Sequence, residues 1–214
     1  MDEIDWNARL NPFNHHPAAP HYTTFALDTF PISCLDGDIG DTTFQPKYAS
    51  NVYKVQVAIG WDGIIYWYRG PHLVSRSDPR LWSLYGPQAW IQKEFGWADG
   101  VYSGVHHLIA PFRKPKHAPL AIDWHGWFRA RVEHTFATLW SFNLIKHVWP
   151  GRGEEGLRRL GNRLKVLMHF INFCEKRKRR YPPYGPWPHF QEVEVDAQPI
   201  CDVASDSDSS SHED

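Results

Sequence analysis

Cysteine is scarce in this sequence: Cys34, Cys174 and Cys201 are widely spaced and odd in number. That argues against a disulfide framework, and the lack of any CxxC pair argues against a zinc site built from cysteines. No apolar run approaches the roughly 20 residues needed to span a bilayer. The opening Met1–Trp6 (MDEIDW) is acidic, where a secretory signal would be basic and then apolar. These absences fit a reducing, intracellular compartment with no membrane partner. Net charge is nearly absent too, at −1, but this averages opposite local charges. Residues 163–180 are strongly basic, and the stretch after Gln191 is acidic and serine-rich. A protein that meets nucleic acid with one face can carry such a balance. What the chain does have is length for one sizeable core, at 214 residues, and eleven tryptophans to fill it.

Residues 1–28 show no sustained periodicity beyond a possible short helix near Asp5–Leu10, and read as a poorly ordered leader. His15, His16 and His21 match no metal-site spacing. Order is expected from Thr29, where Phe30, Ile32 and Cys34 alternate with Pro31, Ser33 and Leu35 in a strand buried on both faces. It ends at Asp36-Gly37-Asp38. Val52–Trp61 and Ile64–Arg69 flank Asp62-Gly63, a dipeptide suited to a tight hairpin. Ser77-Asp78-Pro79 starts a helix running towards Phe95, interrupted at Gly86-Pro87. Asp99 follows a later strand, His107–Ala110 is a short strand, and Arg113–Pro119 is a basic, proline-rich loop. Phe128, Val132, Phe136 and Leu139 form one stripe of a helix over about 123–142. Leu157, Leu160, Leu164, Leu167, Ile171 and Cys174 do the same in a further helix that runs into Lys176–Arg180. Residues 29–181 form the expected domain, and 182–214 an acidic, serine-rich tail expected to be disordered.

Strand, hairpin, helix, strand, helix, helix is the order of an α/β chain. In such sheets polar groups collect beyond the carboxyl ends of strands. Asp36 ends one strand, Asp99 follows another, and Glu133 flanks the apolar stripe of a helix. Three carboxylates converging on one point can hold two divalent cations, which stabilise the attacking and leaving oxygens in phosphodiester chemistry. With 24 acidic residues in the chain, spacing alone does not single out this trio.

Four blocks in order strengthen it. Ile32–Gly37 (ISCLDG) before the hairpin, Gly70–Trp82 (GPHLVSRSDPRLW), Trp97–Pro111 (WADGVYSGVHHLIAP) and Arg129–Leu139 (RARVEHTFATL) together resemble the catalytic domain of PIF/Harbinger-type DDE transposases. The resemblance covers about 30–177. It implies a ribonuclease H-like mixed β-sheet with flanking helices, and Asp36, Asp99 and Glu133 as catalytic metal ligands. It further implies Mg²⁺ or Mn²⁺ as cofactor, DNA as substrate and partner, and a nuclear location. The family also carries an amino-terminal helical DNA-binding region, for which fewer than 30 residues are available before the first expected strand. The resemblance leaves open whether a separate DNA-binding partner protein supplies that region. Ala98, Val101, Ala137 and Trp140 depart from the family's pattern. An active nuclease and strand-transfer enzyme, and a truncated or domesticated, catalytically silent DNA- or protein-interaction module, both accommodate these departures.

Plainer roles stand beside each of these residues. Asp36-Gly37 and Asp99-Gly100 also suit turns. Arg129 and Glu133 are spaced for a helix salt bridge. Asp78 reads equally as a supporting acid or a helix cap, and Asp38 and Asp41 lie near enough to Asp36 to stand in for it. The KRKRR run reads as a nuclear-entry signal, a phosphate contact or a solvated helix end. The tryptophans are more often core than base-stacking platforms.

Overall fold

The computed structural model describes residues 4–10, 23–35, 44–48, 50–90, 94–111, 119–151 and 153–178, all within the compact unit Met1–Pro183. In chain order the strands are β1 (Thr23–Ser33), β2 (Phe44–Gln45), β3 (Ser50–Gly60), β4 (Ile65–Leu73), β5 (Phe95–Trp97) and β6 (Leu108–Ile109). The helices are α1 (Asp78–Tyr85), α2 (Pro119–Trp140), α3 (Asn143–Lys146) and α4 (Gly153–Lys178), with 3₁₀ turns at Asn7–Leu10, Pro46–Tyr48 and Gly100–Tyr102. Among the described residues, no helix is long and apolar enough to cross a membrane.

Strand β3 is bordered by β1 on one side and by β4, with the short β2, antiparallel to it. Beyond β1, β5 and β6 continue the sheet in parallel. The result is a mixed α/β sheet flanked by helices, compatible with a ribonuclease H-like fold. The hairpin matches expectation, with Gly63 at φ 77 in the turn after Asp62 and the Asp62 carboxylate accepting from the Ile64 amide at 2.9 Å.

The first strand departs from expectation. It starts at Thr23, not Thr29, so Asp28 lies inside it. Thr23–Leu27 is β-branched or apolar at almost every position. The lone aspartate interrupts that pattern without ending the strand, because its backbone is paired to Val57 of β3. The preceding segment is also anchored. Arg9, in the first 3₁₀ turn, is buried against Glu94, donating from Nε and Nη2 at 2.5 and 2.6 Å.

Alternation along β1 feeds two apolar layers. Ala26, Phe30, Ile32 and Cys34 join Val132 and Leu139 of α2 and Leu160, Leu164, Leu167, Met168 and Ile171 of α4 in one core. Phe25 and Leu27 face the other way, towards Trp82, Ala98, Tyr102 and Leu108. Helix α1 is shorter than expected and stops at Gly86, whose amide still reaches the Trp82 carbonyl before Pro87. Helix α4 is tied to β4 by a side chain whose part is not visible in the sequence. Asn172 accepts from the Ile65 amide and donates to the Ile65 carbonyl, both at 2.8 Å.

Strand β5 sits so close to β1 that Gly96 has no room for a side chain. A Cβ there would lie 2.1 Å from Cζ of Phe25, a ring itself hemmed in by Trp6, Trp82 and Trp90. Gly96→Ala is therefore expected to destabilise the protein by about 1–3 kcal/mol, the usual cost of overpacking. A fall in the urea midpoint at unchanged slope would register it; an unchanged midpoint would mean that β5 does not hold this register.

Candidate functional site

Two of the sheet's central strands bring acids together. Strands β1 and β5 run parallel, with Ala26 opposite Trp97. Asp28 follows Ala26 by one alternation of the strand, and Asp99 follows Trp97 likewise. Ala26, Phe30 and Trp97 all face the core beneath α2 and α4, so Asp28 points to that same face. The charge of Asp99 reaches Asp28.

Their environments differ. Burial pushes the Asp28 carboxyl up to about 6; a hydrogen bond from the Thr29 amide opposes the shift, the Asp99 charge adds to it, Arg129 opposes it, and Asp78 adds to it. Asp99 is half-buried and caps the 3₁₀ turn Gly100–Tyr102, accepting from the Val101 amide at 3.0 Å. That turn is pinned through Tyr102. Its hydroxyl meets Thr29 Oγ1 at 3.1 Å and accepts from Gln56 Nε2 at 2.9 Å on the opposite face of β1. Tyr102 is buried and also positions the Asp99 turn. Burial raises its phenol far above the ordinary range, so it acts only as a neutral hydroxyl.

Asp78 resolves towards structure. It is the first residue of α1, next to the capping position of Ser77, and accepts from Lys54 Nζ at 2.9 Å. Gln56 Nε2 donates to its carbonyl at 2.8 Å. Helix α1 is thereby fixed to β3.

On the other side of the pair lies α2, packed on β1 through Val132 and through Phe136 against Phe30, with ring centroids 5.2 Å apart. Arg129 of this helix acts on Asp28 electrostatically, and its Nε is buried with no hydrogen-bond partner among the described residues. Glu133 stands one turn further along. Its side chain is 63% exposed and lies 3.6 Å from Arg129 Nη2, an (i, i+4) pair.

The three expected site residues thus fare differently. Asp99 lies beside another acid at the end of a central strand. Glu133 is on the helix above, paired with Arg129 and turned to solvent. Asp36 lies outside the described residues, as do Asp38, Asp41, the histidines 15, 16 and 21, and the basic loop 113–118. Among the described residues, no group of three or more His, Cys, Asp or Glu side chains is close enough to hold a metal ion. The acid that sequence reasoning missed is Asp28. Its signal was present: a single carboxylate in the run TTFALDTFPI, where burying a charge without a partner is costly.

A carboxyl with its pKa raised on folding holds a proton more readily in the folded protein than in the unfolded chain, where it titrates near 3.9. The stabilisation is full below about pH 4 and is lost as pH rises to about 6. Asp28→Asn should remove that loss. The metal-free variant is expected to be more stable than the parent by about 1–2 kcal/mol at pH 7.5, after discounting for partial exposure. At pH 4 the advantage should vanish. Denaturation of both proteins across this interval measures it, and a constant difference would show that Asp28 titrates normally.

An α/β sheet carrying one acid within a central strand and another just past the end of its parallel neighbour, with a helix laid over them, is the class of protein that these features define. Sequence comparison then adds a relative. A putative transposase for insertion sequence element IS112, from Streptomyces albus G, is 28% identical over 132 residues, covering 58% of this chain and 50% of that protein. The chain spans about half the length of this curated relative. The similarity supports a transposase-like origin. No family model matches the chain, and no solved structure matches it.

Proposed function

We propose that the chain is the catalytic part of a DDE-type, metal-dependent DNA endonuclease and strand-transfer protein with a ribonuclease H-like fold, of the PIF/Harbinger kind. In this reading Asp28, Asp99 and Glu133 are its acids, and Asp28 takes the role that the resemblance gave to Asp36. The observation that carries it is that Asp28, two residues past Ala26 in β1, and Asp99, two residues past its parallel partner Trp97 at the end of β5, stand near enough for the Asp99 charge to act on Asp28.

The donor set suits a hard divalent cation. Two carboxylates repel one another in a partly buried setting, which a Mg²⁺ or Mn²⁺ ion would relieve with the oxygen ligands it prefers. Bound there, such ions would supply the positive charge that phosphodiester cleavage needs at the attacking and leaving oxygens. Asp28 and Asp99 hold the floor of the site. Glu133 completes it by turning from Arg129, a change between rotamers of an exposed side chain that gives up an ion pair worth about 0.2–0.5 kcal/mol. Arg129, freed from Glu133, offers its partly exposed guanidinium to a phosphate oxygen.

A second reading has its own observation. Glu133 is exposed and paired, as it would be in a domesticated, catalytically silent module that keeps the fold for binding DNA or protein. Supercoiled plasmid incubated with the chain and Mg²⁺ or Mn²⁺ separates the two. Nicking that disappears in Asp28→Ala, Asp99→Ala and Glu133→Ala supports the enzyme. A folded protein that never nicks supports the silent module.

A further inference from the structure

Helix α4 buries one face against the sheet and leaves another bare. Along the bare face, Glu155, Arg159, Asn162, Val166, Phe170, Phe173 and Arg177 recur at steps of three and four, and all are exposed. Polar residues there need no explanation, but the middle of the stripe is apolar. Val166 is 55% exposed, Phe170 48% and Phe173 51%. Beside them a groove of about 700 Å³ runs between α3 and α4, lined by Phe142, Leu144, Asn162, Val166 and Phe170 among others. Contiguous exposed apolar surface of this kind marks an interaction site.

The order of residues in the stripe identifies its occupant. Glu155 and Arg177 lie equally far from Val166 in sequence, as do Arg159 and Phe173, and Asn162 and Phe170. The first turn of α4 carries Glu154 and Glu155, while its last turns carry Lys176 and Arg177. An antiparallel copy of the same helix, crossing at Val166, therefore meets it with complementary chemistry throughout. Val166 packs on the partner's Val166. Asn162 and the groove receive the partner's Phe170. Arg159 lies over the partner's Phe173 ring, a contact of the kind that Arg177 makes with Phe173 within the chain at 4.2 Å. Glu155, whose carboxylate accepts from Arg158 and Arg159 of its own helix at 2.7 Å, faces the partner's Arg177 and would be shared with it. Opposed helix dipoles favour this arrangement, whereas parallel pairing would set acid against acid and base against base. Such self-complementarity about a two-fold axis is what an isologous interface requires. A nucleic-acid backbone would meet three apolar side chains at the centre of the face.

We infer that the outer face of α4 is a homodimer interface in which two copies pair antiparallel about Val166. It shares no residue with the Asp28–Asp99 site, so loss of either leaves the other testable. Sedimentation velocity of the full chain at micromolar concentrations is expected to show a dimer. Val166→Glu should weaken it at least about tenfold, with circular dichroism unchanged because the side chain is exposed in the monomer, and with melting lowered only by the share that pairing contributes. Glu155→Arg and Arg177→Glu should each weaken it, and the two together in one chain should restore it, since each faces the other across the axis. If Val166→Glu does not fold, Val166→Ser and the charge exchange carry the test. A wild-type chain that stays monomeric overturns the inference. So does a dimer whose constant ignores these substitutions, or an exchange that fails to restore pairing.

Discussion

Asp28→Ala is expected to abolish Mg²⁺-dependent plasmid nicking, lowering its rate by at least about a hundredfold, while the protein stays folded. A bound cation contributes several kilocalories per mole of transition-state stabilisation, and each 1.36 kcal/mol is a factor of about ten in rate. Removing an acid from a floor made of two forfeits most of that. Asp99→Ala should fall as far. The contrast with Asp36→Ala is the informative arm, because Asp28 is the acid that shares a sheet face with the neighbours of Asp99 and feels its charge. Asp36→Ala should keep activity within a few fold of the parent. If Asp36→Ala is dead and Asp28→Ala is active, the assignment of the first acid to β1 is wrong. Asp28→Asn sharpens the result, since one substitution is expected both to stabilise the metal-free protein at neutral pH and to silence it. A residue kept only for packing would not show that opposition.

Arg9→Ala is expected to cost about 3–5 kcal/mol of stability, the range for breaking one partner out of a buried ion pair. For a domain of this size that corresponds to a fall in melting temperature of roughly 6–20 °C. Arg9 and Glu94 side chains are 1% and 0% exposed, and the guanidinium grips both carboxylate oxygens. Glu94 also accepts from Thr24 Oγ1 at 2.5 Å, and Arg9 donates to the Trp6 and Ala89 carbonyls. One bidentate contact thus joins the 3₁₀ turn near the amino end, the start of β1 and the residue before β5. Without Arg9, Glu94 is a buried carboxylate that has lost the cation gripping both of its oxygens. Arg9→Lys should recover little, because an ammonium cannot span both oxygens in a fixed plane. The same loss should spread to the site, as Glu94 directly precedes the strand that leads to Asp99. A change below about 1 kcal/mol in the denaturation of Arg9→Ala would show that this pair is solvated and that the amino-terminal turn is not part of the folded unit.

Much of the architecture was legible because periodicity and turn chemistry act locally. The hairpin around Asp62-Gly63 and the stripe of α4 follow from alternation and from steps of three and four. The proline after Gly86 set the end of α1, which a continuing helical pattern had masked. Three-residue β5 carries too little pattern to be bounded, and its pairing with β1 and β6 defines it. The start of β1 was misplaced for a different reason. An aspartate among apolar residues resembles a boundary when charge is weighed one residue at a time. It becomes a strand interior once β3 satisfies its backbone and Asp99 and Arg129 share its surroundings.

By itself the sequence determined the α/β order of elements, the amphipathic helices, and Asp99 and Glu133 as residues worth attention. It could not choose the first acid, because which carboxylates share a face depends on the register of β1 against β3 and β5. Those pairings join positions far apart in the chain, and a carboxyl's proton affinity depends on what surrounds it in space. The burial of Arg9 against Glu94, the Asn172 clamp on Ile65 and the company kept by Asp28 were decided by long-range packing alone. Each is a polar group taken from water, and only the finished tertiary structure supplies the partners that make its burial tolerable.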